Sequence, residues 1–353
     1  MSISAQKRLT VSIIIPTYNR AHLVVEAIES ALSQTRVPDE ILVIDDGSTD
    51  NTTAVLERFG APVHVLRQAN RGRSAARNTG IREATSDAVL FLDSDDLLMP
   101  NCIEEFVSVL ERQPDVDVVY GNAKLIDSQG RLIALYADRM PGPRPSGHIL
   151  GELARRCCLT VCSMVRRSAL RGIRFEEGME FGEDYDLWRQ LAARSNFQYV
   201  DEPLTCYRFH KGMTISSDPR KNLDAELEVQ RRVLEMPEFM ALSARDRACA
   251  YAAHGAKQAM RDRGGLARRL FWRAIRTDPT YTTSYALLAL SAVSVRPLQF
   301  AISKRRRMLG NHIAAEAGGA ALAQERAAPS QNKSPIIIPD SDNVVHGEEH
   351  VYG

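Results

Sequence analysis

The sequence predicts an α/β protein: a doubly wound, mainly parallel sheet flanked by helices, followed by a helical region and a disordered tail. Three observations lead there. Up to about residue 120, apolar β-branched runs alternate with helical stripes, and such alternation implies parallel strands covered by helices on both faces. Three of those runs stop abruptly in acidic or turn-forming residues. Residues 221–310 turn helical and rich in Ala and Arg, and beyond residue 311 the chain is polar and aperiodic, a composition that does not support a packed core. The expected units are 1–220, 221–310 and 311–353.

Each element follows from its pattern. Val11–Ile15 is a continuous β-branched run, as a buried parallel strand should be. In "AHLVVEAIESALSQ", Leu23, Val24, Ala27, Ile28, Ala31 and Leu32 share one helical stripe. "EILVIDDGSTD" is a strand stopped by acids and a glycine, and "VHVLRQ" is a short third strand. "GRSAARNTGIREA" reads as a helix, with Gly80 unfavourable inside it. "AVLFLDSDD" is the next strand. "MPNCIEEFVSVLERQ" is a helix with Pro100 suited to its first turn, and "VDVVYG" closes the series. A hairpin is expected over 122–136, turning at "DSQG", then a Pro/Gly-rich loop from Met140 to His148. "VCSMVRRSAL" predicts a strand and short helix, "EDYDLWRQLAARS" a helix, and "FQYVDEPL" a strand. "HGAKQAMRDRGGLARRLFWRAIRTDPTY" predicts a helical hairpin broken at Gly264-Gly265 and stopped at Asp278-Pro279. It is similar to one tetratricopeptide unit, which cannot bury its own face and is expected to pack on the α/β part.

Composition narrows the function classes. The balance of 45 Lys+Arg against 44 Asp+Glu argues against a general nucleic-acid binder, which carries a basic excess. The six cysteines form no C-x-x-C pair, so neither a zinc site nor a disulfide framework is expected, and reduced thiols suit a cytoplasmic protein. Val11–Ile15 is too short for a signal segment, and "YALLALSAVSV" falls short of the roughly 20 apolar residues of a spanning helix.

Chemistry is expected beyond the carboxyl ends of the strands, where doubly wound sheets bind ligands. The first strand ends in Pro16-Thr17-Tyr18-Asn19-Arg20, the second in Asp45-Asp46-Gly47-Ser48, and another in Asp93-Ser94-Asp95. Parallel strands align these ends on one rim. Carboxylates gathered there need a cation. Hard oxygen donors suit Mg²⁺ or Mn²⁺, often shared with substrate phosphates. The chain has neither a G-x-x-x-x-G-K-[ST] nor a G-x-G-x-x-G loop. Arg73 and Arg77, one helical turn apart, offer further positive charge. Taken singly, "DDGSTD" reads better as a turn or cap, Asp46 or Ser48 capping a helix over 52–59, and "DSD" reads equally well either way. Together, at successive strand ends, they point to a site.

"VSIIIPTYNR", "ILVIDDGSTDNT", "NRGRSAARNTGI" and "VLFLDSDD", in that order, with "GEDYDLWRQL" and "CYRFH" downstream, resemble the family 2 glycosyltransferases over about Thr10–Ser217. The resemblance implies a mixed sheet of the GT-A type and a metal-dependent, inverting transfer from a nucleotide-sugar donor. On that basis Pro16, Tyr18 and Arg20 line the nucleotide end of the pocket. Asp45 and Asp46 contact base and ribose, and Arg73 and Arg77 form a basic helix near the diphosphate. Asp93, Ser94 and Asp95 make the D-x-D motif, with Asp95 the direct metal ligand and Asp93 on the ribose. His210 approaches the metal or diphosphate, against a competing reading as a structural strand-end histidine. Asp184 is the base and Glu183 its support; capping of the helix by Asp184 is compatible with that role. Inversion by direct displacement needs one base for the acceptor hydroxyl, unlike the two-carboxylate pair of a hydrolase.

Three alternatives carry less. A nucleotidyltransferase would show a Gly- and Lys-rich loop where this chain has "PTYNR". A non-catalytic nucleotide- or carbohydrate-binding protein on a decayed transferase scaffold is expected to have lost Asp95 or Asp184, and both are present. A helical adaptor would need more repeats. The expected acceptor is a glycan or lipid-linked glycan, in assembly of bacterial cell-surface polysaccharide, lipopolysaccharide or glycoconjugate. Its recognition is expected in the 140–148 loop and around Phe175 to Phe181. "RPLQFAISKRRRML", with Lys304, Arg305, Arg306 and Arg307, suits either a solvated helix end or peripheral contact with the inner face of the plasma membrane. Donor sugar, linkage and oligomeric state are not legible in the sequence.

Overall fold

The structure, a computed structural model, describes residues 8–139, 142, 144–160, 162–209 and 219–293. The first half alternates as expected: β1 (Val11–Thr17), α1 (Ala21–Leu32), β2 (Glu40–Asp45), α2 (Thr52–Leu56), β3 (Val63–Arg67), α3 (Arg73–Glu83) and β4 (Ala88–Phe91). Then come β5 (Leu97–Leu98), α4 (Cys102–Arg112), β6 (Val116–Ile126), β7 (Leu132–Leu135), α5 (Tyr136–Arg139), α6 (Leu150–Leu153) and β8 (Ser163–Arg166). Helix α7 (Glu183–Ala192) and strand β9 (Asn196–Arg208) follow. The rest is helical: α8 (Pro219–Glu235), α9 (Pro237–Ala241), α10 (Ala244–Met260), α11 (Gly264–Thr277) and α12 (Thr282–Val293).

Among the described residues all nine strands join one sheet in the order β3-β2-β1-β4-β8-β6-β9-β5, with β7 on β6. The first four are parallel, whereas β8 runs antiparallel to both β4 and β6, so the sheet is mixed. Successive residues of one strand point to opposite faces. Accordingly Ile14, Leu42, Ile44, Val89 and Phe91 belong to one core, and Ile13, Ile15, Ile41, Val43 and Leu90 to the other. Both cores are closed by helices, which is why these strands read as unbroken apolar runs. The α1 residues Val24, Ala27 and Ile28 and the α4 residues Ile103, Phe106 and Val107 cover the second core.

Helix α3 lies so close to β1 that a Cβ on Gly80 would sit 2.4 Å from Ile14 Cγ2. The residue that costs the helix stability is the one that permits this approach, and the approach sets where α3 meets the sheet.

Two features were not anticipated. Strand β5, directly after the "DSDD" run, pairs antiparallel with the end of β9, Leu97 opposite Cys206 and Leu98 opposite Thr205. Strand β9 therefore extends past the expected "FQYVDEPL" to Arg208. The α10–α11 hairpin also breaks earlier than the double glycine: α10 ends at Met260 and Gly264 opens α11. Asp262 makes the turn, with φ 58, a left-handed conformation that Asp tolerates better than most residues.

Helix α10 is not an independent layer. Its Ala248, Tyr251 and Ala252 share a core with Leu150 and Leu153 of α6. Lys257 Nζ pairs with Glu226 of α8 at 2.7 Å and donates to the Arg155 carbonyl at 2.7 Å. All six cysteines are unpaired thiols. Among the described residues no helix is long and apolar enough to cross a membrane.

Gly80→Ala is predicted to lower stability by about 1–3 kcal/mol through overpacking against Ile14. Urea unfolding checks this, and an unchanged midpoint would mean that α3 can move away from β1 freely.

Candidate active site

A cleft of about 250 Å³ opens at the carboxyl ends of β1, β2 and β4. Of the sequence-predicted residues, Pro16, Tyr18, Arg20, Asp46, Arg73, Arg77, Asp93, Ser94 and Asp95 line it. Thr17, Asn70, Gly72, Ala76, Asp96 and Tyr207 line it as well, without a role assigned to them from the sequence. His210, the 304–307 segment and the tail lie outside the described residues.

The turn after β4 holds the acids. Asp93, Asp95 and Asp96 offer carboxylate oxygens that lie within 4.8 Å of one another. Burial, reinforced by Asp95 and Asp93, pushes the Asp96 carboxyl well above the usual carboxylate range. Strand β9 braces this turn. The Arg208 backbone N–H donates to Asp96 Oδ1 at 3.0 Å, its Nε to the Asp95 carbonyl at 3.1 Å, and its Nη2 to Glu26 at 2.5 Å. Three hard oxygen donors so close, with their repulsion still felt at Asp96 despite Arg208, are a set that fits Mg²⁺ or Mn²⁺.

Asp93 already meets one cation. Arg77 Nη2 donates to Asp93 Oδ1 at 2.5 Å and Arg77 Nη1 to Glu183 Oε1 at 2.9 Å. The guanidinium is 2% exposed and stacks over the Phe175 ring, 5.0 Å from its centroid. Despite burial, the two carboxylates hold its pKa above the ordinary arginine value. Arg73, one turn earlier, brings Nε to 3.4 Å from the same Glu183 oxygen. The expected basic helix thus faces the cleft, but Arg77 spends its charge on two protein carboxylates. Phe175 was expected to help recognise an acceptor. It is fully buried, edge-on to Phe91 at 5.2 Å, so its role is to pack beneath Arg77.

Helix α7 begins at this ion pair. Gly182 precedes it with φ +76, a conformation that glycine adopts without strain. Glu183 is buried and Asp184 partly so. Burial first, and then the neighbouring Glu183 charge, raises the Asp184 carboxyl to about 6. Its Oδ1 accepts the Tyr185 N–H at 2.7 Å. Trp188 and Leu191 are fully buried and anchor the helix. Asp186, which sequence reasoning passed over, accepts from Arg189 at 3.0 Å and from Arg232 of α8 at 3.3 Å.

The acid pair after β2 divides. Asp45 is fully buried and does not line the cleft: Oδ1 accepts the Ser48 N–H at 2.9 Å and Oδ2 the Thr53 hydroxyl at 3.1 Å. Asp46 does line it, while its carboxylate accepts the backbone N–H groups of Arg71 at 3.0 Å and Gly72 at 2.7 Å. In this state both carboxylates shape the loops around the cleft. Neither Asp46 nor Ser48 caps α2, where the Thr52 N–H is met by Asp50 at 2.9 Å.

A sequence profile of the family "Glycosyl transferase family 2" matches residues 12–174. An Escherichia coli protein, the UDP-Glc:alpha-D-GlcNAc-diphosphoundecaprenol beta-1,3-glucosyltransferase WfgD, is 30% identical over 236 residues, covering 64% of this chain and 87% of that protein. The chain belongs to the family 2 glycosyltransferases. An uncharacterized glycosyltransferase of Rickettsia felis is also 30% identical over 230 residues, but the match spans 64% of this chain and only 37% of that longer protein. The crystal structure of S. aureus TarS 1-349 in complex with UDP-GlcNAc superposes with a TM-score of 0.60 at 18% identity, covering 85% of this chain and 92% of that one. The fold of this glycosyltransferase is therefore of the GT-A type, with helices following the sheet domain.

Arg77→Met is predicted to destabilise this glycosyltransferase by about 3–5 kcal/mol, because Glu183 and Asp93 then lose their buried counter-charge. Denaturant unfolding reads it directly, and a stability equal to wild type would contradict the pairing.

Proposed function

We propose that this glycosyltransferase transfers a sugar from a nucleoside diphosphate donor to a hydroxyl acceptor with inversion, using Asp184 as the base. The observation that carries this reading is the ionic chain Asp93–Arg77–Glu183. It fixes the start of α7, and with it Asp184, relative to the acid turn. A base must sit at a set distance and angle from the reacting carbon, and a rigid charge pair provides that better than a loop does. The Asp184 carboxyl, raised to about 6, is basic enough to accept a proton from the acceptor hydroxyl yet still ionised at neutral pH.

Pro16, Tyr18, Arg20, Asn70 and Arg73 are proposed to hold the nucleotide and diphosphate, with Asp45 and Asp46 shaping the end that meets base and ribose. Asp95 is proposed to bind a divalent ion, Mn²⁺ or Mg²⁺, with Asp93 and Asp96 beside it, and His210 is proposed as a further ligand on the resemblance alone. When bound, such an ion supplies positive charge to the departing diphosphate. The named activity of the E. coli relative and the ligand of the S. aureus structure support a UDP-sugar donor and a lipid-diphosphate-linked acceptor. A cytoplasmic site of action, residues 1–220 as the catalytic unit and residues 221–310 as its helical buttress complete the reading.

Asp184→Asn is predicted to abolish transfer while leaving UDP binding near wild type. The wild-type rate at saturating donor is predicted to fall as pH drops through about 6, because protonation removes the base. Transfer assays across pH, paired with UDP titration of the variant, decide this: normal transfer by Asp184→Asn, or a rate level down to pH about 4, would refute the assignment.

A further inference from the structure

The outer face of α11 has a composition that the fold does not account for. At 3.6 residues per turn, Arg268, Arg269, Trp272, Arg273 and Arg276 fall on one side of the helix, and all five are exposed. Ala267, Leu270, Phe271, Ala274 and Ile275 fall on the other side and are buried. Trp272 is 56% exposed and sits amid the four arginines. Helix α11 carries no acidic residue, and the chain has none from Pro279 to Ala315. Since the whole chain is balanced at 45 basic against 44 acidic residues, this is a local asymmetry.

Internal contacts use only part of that face. Arg268 donates to the Ser291 carbonyl of α12 at 3.2 Å, and Arg273 stacks 4.4 Å from the Tyr251 ring centroid. No ion pair joins Arg269 or Arg276 to another described residue. Arg269, Arg273 and Arg276, at spacings of four and three, repel one another along the helix, so the face costs the fold stability. Next to it, α12 has no charged side chain and exposes Tyr285 and Leu290.

We propose that the outer face of α11 is a docking surface for an anionic phospholipid bilayer. A basic amphipathic helix lies in the plane of such an interface. Trp272 would sit at the headgroup level, where indole rings concentrate, and the arginines would pair with lipid phosphates, for which the guanidinium fork is suited. The uncharged surface of α12, which exposes the aliphatic Leu290 beside Tyr285, favours a bilayer, whose acyl boundary takes up such side chains, and the balanced charge of the whole chain argues against a nucleic acid. The inference stands apart from the proposed chemistry, since vesicle binding needs neither donor nor acceptor.

The test is flotation of the full chain with vesicles of phosphatidylcholine alone and of phosphatidylcholine with phosphatidylglycerol, at low and high salt. Wild type is expected on the anionic vesicles only and to be released by salt. Arg269→Gln and Arg276→Gln should each weaken binding about five-fold, and Trp272→Ala should weaken it without changing the salt dependence. The proposal is overturned if wild type shows no preference for anionic vesicles. It is equally overturned if the variants bind as wild type does, which would move the contact to another segment such as 304–307. A dimer in sedimentation that Trp272→Ala dissolves, or displacement of bound chain from the vesicles by RNA, would likewise reassign the face to another partner.

Discussion

Arg77 is the point to which the rest of the site is tied. Its guanidinium is buried, with Asp93 at 2.5 Å on one side, Glu183 at 2.9 Å on the other, and the Phe175 ring beneath it. A lone buried guanidinium would be prohibitively costly, and without it the buried Glu183 would lose its nearer counter-charge, leaving only Arg73 at 3.4 Å. Because the three groups come from α3, the turn after β4 and the start of α7, their pairing ties these elements together. Gly80 lets α3 approach β1 closely enough for Arg77 to reach that position, and Gly182 turns the chain so that Glu183 faces it.

A second bracket acts on the same turn. Arg208, at the end of β9, holds the backbone of Asp95 and the side chain of Asp96 and reaches Glu26 on α1. Between Arg77 and Arg208 the acid turn is held by two buried arginines, while its own charges still repel at Asp96. Pre-organised repulsion of this kind is what a divalent ion relieves on binding.

Much of this was legible in the sequence, for physical reasons. Buried parallel strands announce themselves as β-branched runs, and their acidic ends mark the rim where ligands bind, so β1, β2 and β4 and the residues after them could be read directly. Sequence could also see that Arg73 and Arg77 share a helical face. It could not see that Glu183, 106 residues away, would claim Arg77, nor that Arg208 would meet Asp96 across 112 residues. Such pairings depend on tertiary geometry that no local period encodes. Strand β5 was missed because two residues carry no periodicity. Asp45 and Asp46 show the ambiguity of short acidic motifs: the same carboxylates serve as turn-holding groups and as candidates for substrate contact. The resemblance to a family pointed to the fold, and the geometry then identified which charges are committed within the chain.

Everything proposed for the chemistry requires that the acid turn bind a nucleoside diphosphate through a divalent ion. Calorimetric titration of UDP into wild type and into Asp95→Ala, each with Mn²⁺ and again with EDTA, tests that requirement most directly. The account predicts binding by wild type with Mn²⁺, lost in EDTA and strongly weakened in Asp95→Ala. Equal UDP affinity in all four titrations would contradict it and would leave the acid turn a purely structural feature.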